Sequence, residues 1–285
     1  MSGPLIESQV TPNAYVEASG KEVGTLVTPA FDTFFRNHEK MLWGVGEINF
    51  KAIRKDLLTP DDTKALIGGM LVESHNPVFT SQLMEYYRAD HEMTSFLPVW
   101  GYEEMKHYVF LRTYLEAIGV DKAELEGVLN QTRSGPWGET EAKFTPVQAL
   151  TYTMVQEQTT NIFYNRFANR TQEPVLRKLL TLLGKDEMRH CQYYLVKGKE
   201  EIAKDRHVLD QVDEVLINFA MPGDSFVPDY GKHQAAMIKV TNPGPVETGM
   251  VVNKIKELVG TMHGLKLMTN PAVIRRLTGW GGDKY

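Results

Sequence analysis

The sequence predicts an all-α protein, a four-helix bundle with additional helices. Apolar residues recur at helical spacing over long stretches, and no run of alternating β-branched residues suggests a sheet. Four of the long stretches also carry acidic residues, two of them with a histidine three positions on, among largely apolar neighbours. That is the side-chain pattern of a bundle whose helices converge on a common interior site.

The elements follow in chain order. A first helix is expected over about 30–55 (FDTFFRNHEKMLWGVGEINFKAI). A second opens at TPDD, where Pro60 marks the start, and runs past Glu73 towards 87. A third begins near Pro98, covers about 97–118 and stops at Gly119. Residues 131–144, QTRSGPWGETEAKF, read as a Gly/Pro-containing connector. Thr145-Pro146 starts a long helix through Glu157 to about 168, and Glu173-Pro174 starts another through His190 to about 204. Weaker helices are expected over about 206–219 and 246–264, set apart by MPGDSFVPDYG and TNPGPVETG. No solenoid repeat or low-complexity segment divides the 285 residues. The expected organisation is therefore one helical domain over 1–285, with an irregular tail over 1–25 and loop-rich C-terminal helices over 221–285.

Composition narrows the function. A hydrophobic fraction of 42%, a charged fraction of 24% and a slightly negative mean hydropathy describe an ordinary soluble chain. No apolar run approaches the roughly 20 residues of a membrane span, and the N-terminal stretch has neither the basic nor the apolar region of a secretory signal. A net charge of −5 gives no electrostatic footprint for nucleic acid. The single Cys191 rules out an intramolecular disulfide and fits a reducing cytoplasm. It reads as a small buried residue rather than a ligand.

Two pentads carry the chemistry: EEMKH from Glu103 and DEMRH from Asp186. Residues three apart on a helix share a face, so Glu104/His107 and Glu187/His190 each present a carboxylate beside an imidazole. Glu73 in IGGMLVESHNPVF and Glu157 in LTYTMVQEQTTNIFY are isolated carboxylates in apolar surroundings, expensive to bury without a partner or a metal. Glu, Glu-x-x-His, Glu, Glu-x-x-His from four helices is the ligand set of a di-iron or di-manganese carboxylate centre. Two divalent ions would neutralise four glutamates. The competing reading pairs Glu104 and Glu187 with Lys106, Arg112 or Arg189 as ordinary ion pairs. Metal-bound imidazoles usually donate to an outer carboxylate, which gives Asp186 to His107 and Glu103 to His190. Gly69, Gly101 and Gly184 each precede a proposed ligand by three or four residues and either leave room for dioxygen and a chain or allow close helix packing. Tyr152, Met154, Phe163 and Tyr164 either line an apolar tunnel or belong to the core.

These residues resemble the soluble acyl-carrier-protein desaturases of the ferritin-like superfamily, including their actinobacterial relatives, over about 40–265. EEMKH and DEMRH are similar to that family's paired motifs. VQEQTT resembles its third-helix ligand segment, with Thr160 near the oxygen site; GGMLVESHNPVF resembles the segment giving the first carboxylate, which favours Glu73 over Glu47; AMPGD at 220 is similar to a Met-Pro turn. The resemblance implies a ferritin-like fold and two iron ions, with manganese possible, held by Glu73, Glu104, His107, Glu157, Glu187 and His190. Thr160 and Asp186 would assist catalysis. It further implies a cis-desaturation of an acyl chain on acyl carrier protein or coenzyme A, using dioxygen and electrons from a ferredoxin-type donor, by a homodimer. Trp43 and Trp100 are candidates for electron uptake. Lys51, Arg54 and Lys55, or Arg275 and Arg276, would meet an acidic carrier unless they are solvated helix faces. The chain is shorter than the plant enzymes, and Leu183 stands where arylamine N-oxygenases have an extra histidine. Competing functions are hydroxylation or N-oxygenation in natural-product synthesis, and a ferritin-like metal-binding protein without catalysis.

Overall fold

Two nearly identical capping devices start helices of the bundle. Thr59 accepts from the Asp62 amide at 3.2 Å while Asp62 accepts from the Thr59 amide at 2.7 Å; Thr145 and Gln148 repeat the exchange at 3.4 and 2.9 Å. Each satisfies two otherwise orphaned amides, and the following proline has none to lose. In the computed structural model, which describes residues 29–133 and 144–278, these caps open α2 (Pro60–Glu73) and α6 (Pro146–Arg170). The other helices are α1 (Pro29–Met41), α3 (Asn76–Tyr86), α4 (His91–Ile118), α5 (Lys122–Arg133), α7 (Pro174–Lys204), α8 (Leu209–Asn218), α9 (Gly223–Phe226), α10 (Tyr230–Thr241), α11 (Pro245–Val259), α12 (Thr261–Leu267) and α13 (Pro271–Thr278). No strand occurs among the described residues. The expected tail over 1–25 and residues 134–143 of the connector lie outside them.

Several expected boundaries differ, each for an identifiable physical reason. The helix expected over 30–55 ends at Met41, and short 3₁₀ turns carry the chain from 45 to 57; Gly44 and Gly46 weaken helix there, and Trp43 is drawn into the interior. The helix expected to continue towards 87 stops after Glu73 and resumes as α3, with Pro77 at its N-terminus. The third begins seven residues before Pro98, because the Asp90 side chain accepts from the Glu92 and Met93 amides, both at 3.0 Å. Pro98 therefore sits inside α4, on an exposed face where its missing N–H is tolerated. Gly119 does end that helix, with φ of 100°. The helix expected over 246–264 is broken at Gly260, whose φ of 89° suits glycine. The stretch from 221 to 278 is mostly helical rather than loop-rich, α9, α10 and α13 having been hidden by their Gly/Pro flanks.

α6 and α7 pack along their length, α2 lies on α4, and α10 covers α2 and α6. The apolar core has two clusters, one holding Trp100, Met154 and Tyr194, the other Leu111, Phe167 and Leu183. Along α4 the chain passes from the first to the second; along α7 it runs the other way. The residues between the clusters, 103–107 on α4 and 186–190 on α7, are the two pentads.

Candidate metal centre

α2 delivers Glu73 in its last turn, α4 Glu104 and His107, α6 Glu157, and α7 Glu187 and His190; all six are buried, none more than 6% exposed. One ligand atom each from Glu73, Glu104, His107 and Glu187 lies within 4.8 Å of the others, and the same holds for Glu104, Glu157, Glu187 and His190. The two groups share Glu104 and Glu187. Such a geometry suits two cations with two carboxylates between them.

The imidazoles turn Nδ1 inward. His107 Nδ1 is 3.1 Å from Glu187 Oε1, and His190 Nδ1 is 2.9 Å from Glu104 Oε1 and 3.4 Å from Glu157 Oε2. None of these contacts is aligned as a hydrogen bond: His107 Nδ1, His190 Nδ1, Glu104 Oε1 and Glu187 Oε1 are buried without a hydrogen-bond partner. Orphaned polar atoms are costly in an interior, and four converging on one spot fit a pair of metal ions. Without metal, burial and the neighbouring carboxylates raise the carboxyl pKa values of Glu104 and Glu187 well above the ordinary range. For Glu157 burial is outweighed by the close Glu187 carboxyl and His190 imidazole and by the Trp100 N–H, and its pKa is lowered.

An outer ring of charge holds the imidazoles from behind. His107 Nε2 lies 3.2 Å from Asp186 Oδ2 and His190 Nε2 lies 2.8 Å from Glu103 Oε2. Each acid of one pentad thus meets the histidine of the other. The basic residues of the pentads pair with these outer acids, not with Glu104 or Glu187. Lys106 Nζ is 3.2 Å from Asp186 Oδ2, and Arg189 donates to Asp186 Oδ1 at 2.7 Å and to Glu103. Arg112 is occupied by Glu116, Glu126 and Tyr108. Opposed by burial but favoured by His190 and Arg189, Glu103 is lowered to about 2. Asp186 is lowered likewise, His107, Lys106 and Arg189 outweighing burial.

Other residues find plain roles. Trp43 donates to Asp186 Oδ2 at 2.7 Å, and Trp100 donates to Glu157 Oε1 at 2.9 Å. Glu47 is exposed and pairs with Lys178 at 3.0 Å, far from any ligand role. Thr160 donates to the Gln156 carbonyl at 3.0 Å and lines, with Gly69, Glu73, Phe163 and Tyr164, an apolar cavity. Met154 is core; Tyr152 lines a second cavity with Phe79, Leu83 and Trp100. At Gly101 and Gly184 close packing is the reason for glycine. An added Cβ would lie 2.7 Å from Thr80 Oγ1 at the first and 3.0 Å from Asn165 Nδ2 at the second. Cys191 is buried, its thiol pushed up to about 12 by burial. Sequence reasoning missed two contacts: Tyr164 donating to Glu73, and His38 Nδ1 at 3.2 Å from Glu103 Oε1. Both join residues far apart in the chain and leave no local signal.

Comparison with known proteins agrees with this architecture. DesA1 of Mycobacterium tuberculosis, named as an acyl-carrier-protein desaturase, is 24% identical over 220 residues, covering 71% of this chain and 64% of that relative. The chain thus spans slightly less than two thirds of its length. DesA2 of the same organism, similarly named, is 28% identical over 116 residues, 40% of this chain and 41% of DesA2. The X-ray structure of DesA2 superposes with a TM-score of 0.61 at 17% identity, covering 84% of this chain and 95% of that one, which establishes a shared fold. Residues 47–242, more than two thirds of the sequence and including all six convergent acids and histidines, match the fatty acid desaturase family, to which this chain belongs.

Proposed function

We propose that the protein is a di-iron, dioxygen-dependent desaturase that introduces a double bond into a carrier-bound fatty acyl chain. The observation that carries this is the pair of four-residue ligand groups sharing Glu104 and Glu187 beside an apolar cavity that reaches Glu73. Glu73, Glu104, His107 and Glu187 would hold one ion and Glu104, Glu157, Glu187 and His190 the other. Two iron ions held there would supply the oxidising power that no side chain has; the overall change removes two hydrogens from adjacent carbons and consumes dioxygen, two electrons and two protons, giving an alkene and two waters.

The chain's own residues bind and orient. Asp186 and Glu103 fix the imidazole tautomers, with the Nε2 proton outward and Nδ1 free to ligate. Tyr164 anchors Glu73, and Trp100 anchors Glu157. Trp43, through Asp186, connects to His107 and is the preferred point of electron uptake from a ferredoxin-type donor. Phe163, Met237 and Ile238 keep water from the cavity, and Thr160 places a hydroxyl on its wall. Next to that cavity, and sharing Met221 and Gln234 with it, a polar cleft carries Arg275 and Arg276. Of the two basic clusters, this one suits the acidic acyl carrier protein or the phosphates of coenzyme A. By family analogy the enzyme is a cytoplasmic homodimer. Oxygen insertion and metal storage remain the competing activities; the apolar cavity against Glu73 favours a chain-like substrate over storage.

The test is anaerobic loading with ferrous iron, then dioxygen, a ferredoxin reductase system and acyl-carrier substrates, with mass analysis. Loss of two hydrogens from the acyl chain is the expected product. Gain of one oxygen would replace desaturation by hydroxylation, and iron oxidation with no change in any acyl chain would leave only metal binding.

A further inference from the structure

On the side of the centre facing α1, the aromatic rings form an ordered series. Trp100, held to Glu157 by its indole N–H, lies 6.4 Å from the His190 ring. Tyr194, one turn beyond His190 on α7, is 6.3 Å from Trp100, and Tyr193 is 6.5 Å from Tyr194. Phe96 fills the space between the two tyrosines, stacked on Tyr193 at 3.9 Å and edge-on to Tyr194 at 5.2 Å. Tyr193 then forms part of a cleft lined by Phe34, Asn37, Arg189 and Gln192. The series starts at a proposed metal ligand and ends at the wall of this cleft, with Tyr193 itself 3% exposed.

Packing alone would not order the hydroxyls as they are. Tyr194 is fully buried and its hydroxyl has no hydrogen-bond partner. Tyr193 donates to Glu92 Oε1 at 3.0 Å, and Glu92 Oε2 lies 3.4 Å from Lys197. Burial and adjacent acids, Glu157 for Tyr194 and Glu92 for Tyr193, raise the pKa values of both phenols, so neither is ionised beforehand. A phenol of that kind loses an electron readily only when its proton has somewhere to go. Tyr194 lacks an acceptor and Tyr193 has one. An electron vacancy placed on this series would therefore come to rest on the outermost tyrosine.

We propose that Trp100, Tyr194 and Tyr193 are an escape route for oxidising equivalents, used when the centre has reacted with dioxygen and no acyl chain is in place. The proposal rests on the di-iron reading above. One electron leaves the Tyr193 ring, passes by Tyr194 and Trp100, and fills the vacancy at the centre. The Tyr193 O–H bond breaks and its proton moves to Glu92, leaving a neutral phenoxyl. A thiol reductant at the cleft returns the electron, Glu92 returns the proton and the thiol proton goes to solvent; two such passes give two thiyl radicals, which pair as a disulfide. Glu157, Trp100 and the histidines are thereby spared oxidation.

The experiment exposes the ferrous-loaded protein to dioxygen without acyl substrate and follows it by rapid-freeze electron paramagnetic resonance, with Tyr193→Phe and Tyr194→Phe beside the parent. A phenoxyl signal is expected in the parent and lost in Tyr193→Phe. Both variants should survive several-fold fewer cycles of oxidation and reduction before peptide mass analysis finds oxidised ligands. A second readout needs no iron: photo-oxidation of the metal-free protein with a ruthenium sensitiser gives phenoxyl absorption from several of the 12 tyrosines, the exposed Tyr102 among them, and its yield should fall measurably in Tyr193→Phe. If ferrous iron is not oxidised at all, the proposed centre and the route fall together. If it is oxidised with no phenoxyl and an unchanged number of cycles, or the photochemical yield is the same in Tyr193→Phe as in the parent, the route is wrong and the centre stands. Slower substrate turnover in Tyr193→Phe at unchanged lifetime would make this a path for incoming electrons and would also overturn the proposal.

Discussion

Replacing Glu104 by Gln separates a metal centre from a set of ion pairs by the sign of its effect. Glu104 lies within 4.8 Å, ligand atom to ligand atom, of Glu73, Glu157 and Glu187. At an effective dielectric of about 20, two ionised carboxylates at that distance repel by about 3.5 kcal/mol, so three such pairs sum to on the order of 10 kcal/mol. That rivals the whole stability of a domain; burial, and after it this repulsion, holds the Glu104 carboxyl pKa well above the ordinary range in the metal-free protein. Glutamine has the shape of the protonated acid and costs no proton. Glu104→Gln should therefore stabilise the metal-free chain by about 1–2 kcal/mol, raising its melting temperature by roughly 2–5 °C. With metal the sign reverses. A ligand common to both ions is lost, and an affinity drop of at least about 100-fold removes about 2.7 kcal/mol of metal-linked stabilisation. Thermal melts with and without manganese(II), together with a metal count per chain, read both effects. A variant that melts several degrees lower without metal, yet still takes up two ions at parental affinity, would refute the reasoning and restore the ion-pair reading.

Asp186→Asn should weaken metal binding by about 10–100-fold through the His107 tautomer, checked by cobalt(II) titration; it should also slow reduction of the bound iron, since Trp43 loses its link to His107. In the metal-free protein pH acts in two windows. Glu104 and Glu187 are raised above the ordinary 4.5, so their contribution is complete below that value and is lost as pH rises through the shifted values. Asp186 and Glu103 are depressed, so theirs is present above 3.8–4.5 and is lost as pH falls towards about 2 for Glu103. Melting temperature of the metal-free chain should peak between the windows, and calorimetry in buffers of different ionisation heat should show protons released on metal binding at neutral pH. Gly101→Ala should destabilise by about 1–3 kcal/mol, since its Cβ would press on Thr80; the double variant with Thr80→Ala, which removes both Oγ1 and Cγ2, measured by urea unfolding, should recover part of the loss.

What could be read from sequence was what lies on one helix. A carboxylate and an imidazole three residues apart need only the α-helical rise to become neighbours, so both pairs were legible, as were Glu73 and Glu157 by their apolar settings. Helix starts with a proline after a capping residue were legible too, at Thr59 and Thr145. The start of α4 was misplaced because Pro98 imitates that signal while the real cap, Asp90, precedes an unremarkable HEM. The break after Met41 is tertiary in origin: Trp43 has to leave the helical path to reach Asp186, 143 residues away. His38 on Glu103 and Tyr164 on Glu73 are of the same kind. So is the sharing of Glu104 and Glu187, since nothing in a single helix says which carboxylate faces two partners.

The pentads repeat because the charges close in two separate rings. In the outer ring Glu103 and Asp186 are matched by Lys106 and Arg189, each basic residue supplied by the same pentads, and that ring is neutral by itself. The methionines, Met105 and Met188, point outward and are 48% and 37% exposed. Every basic side chain of the motifs is thus committed, and the inner ring of four glutamates has only two imidazoles facing it. Imidazoles whose outer nitrogens donate to Glu103 and Asp186 stay neutral when their inner nitrogens ligate, so they add no positive charge once metal binds. Two divalent cations then match four carboxylates with nothing left over, as burial in a low dielectric requires. Because α4 and α7 run in opposite directions, the acid of each pentad lies behind the histidine of the other. A single sequence device, used twice on antiparallel helices, therefore supplies both the candidate ligands and the acids behind them.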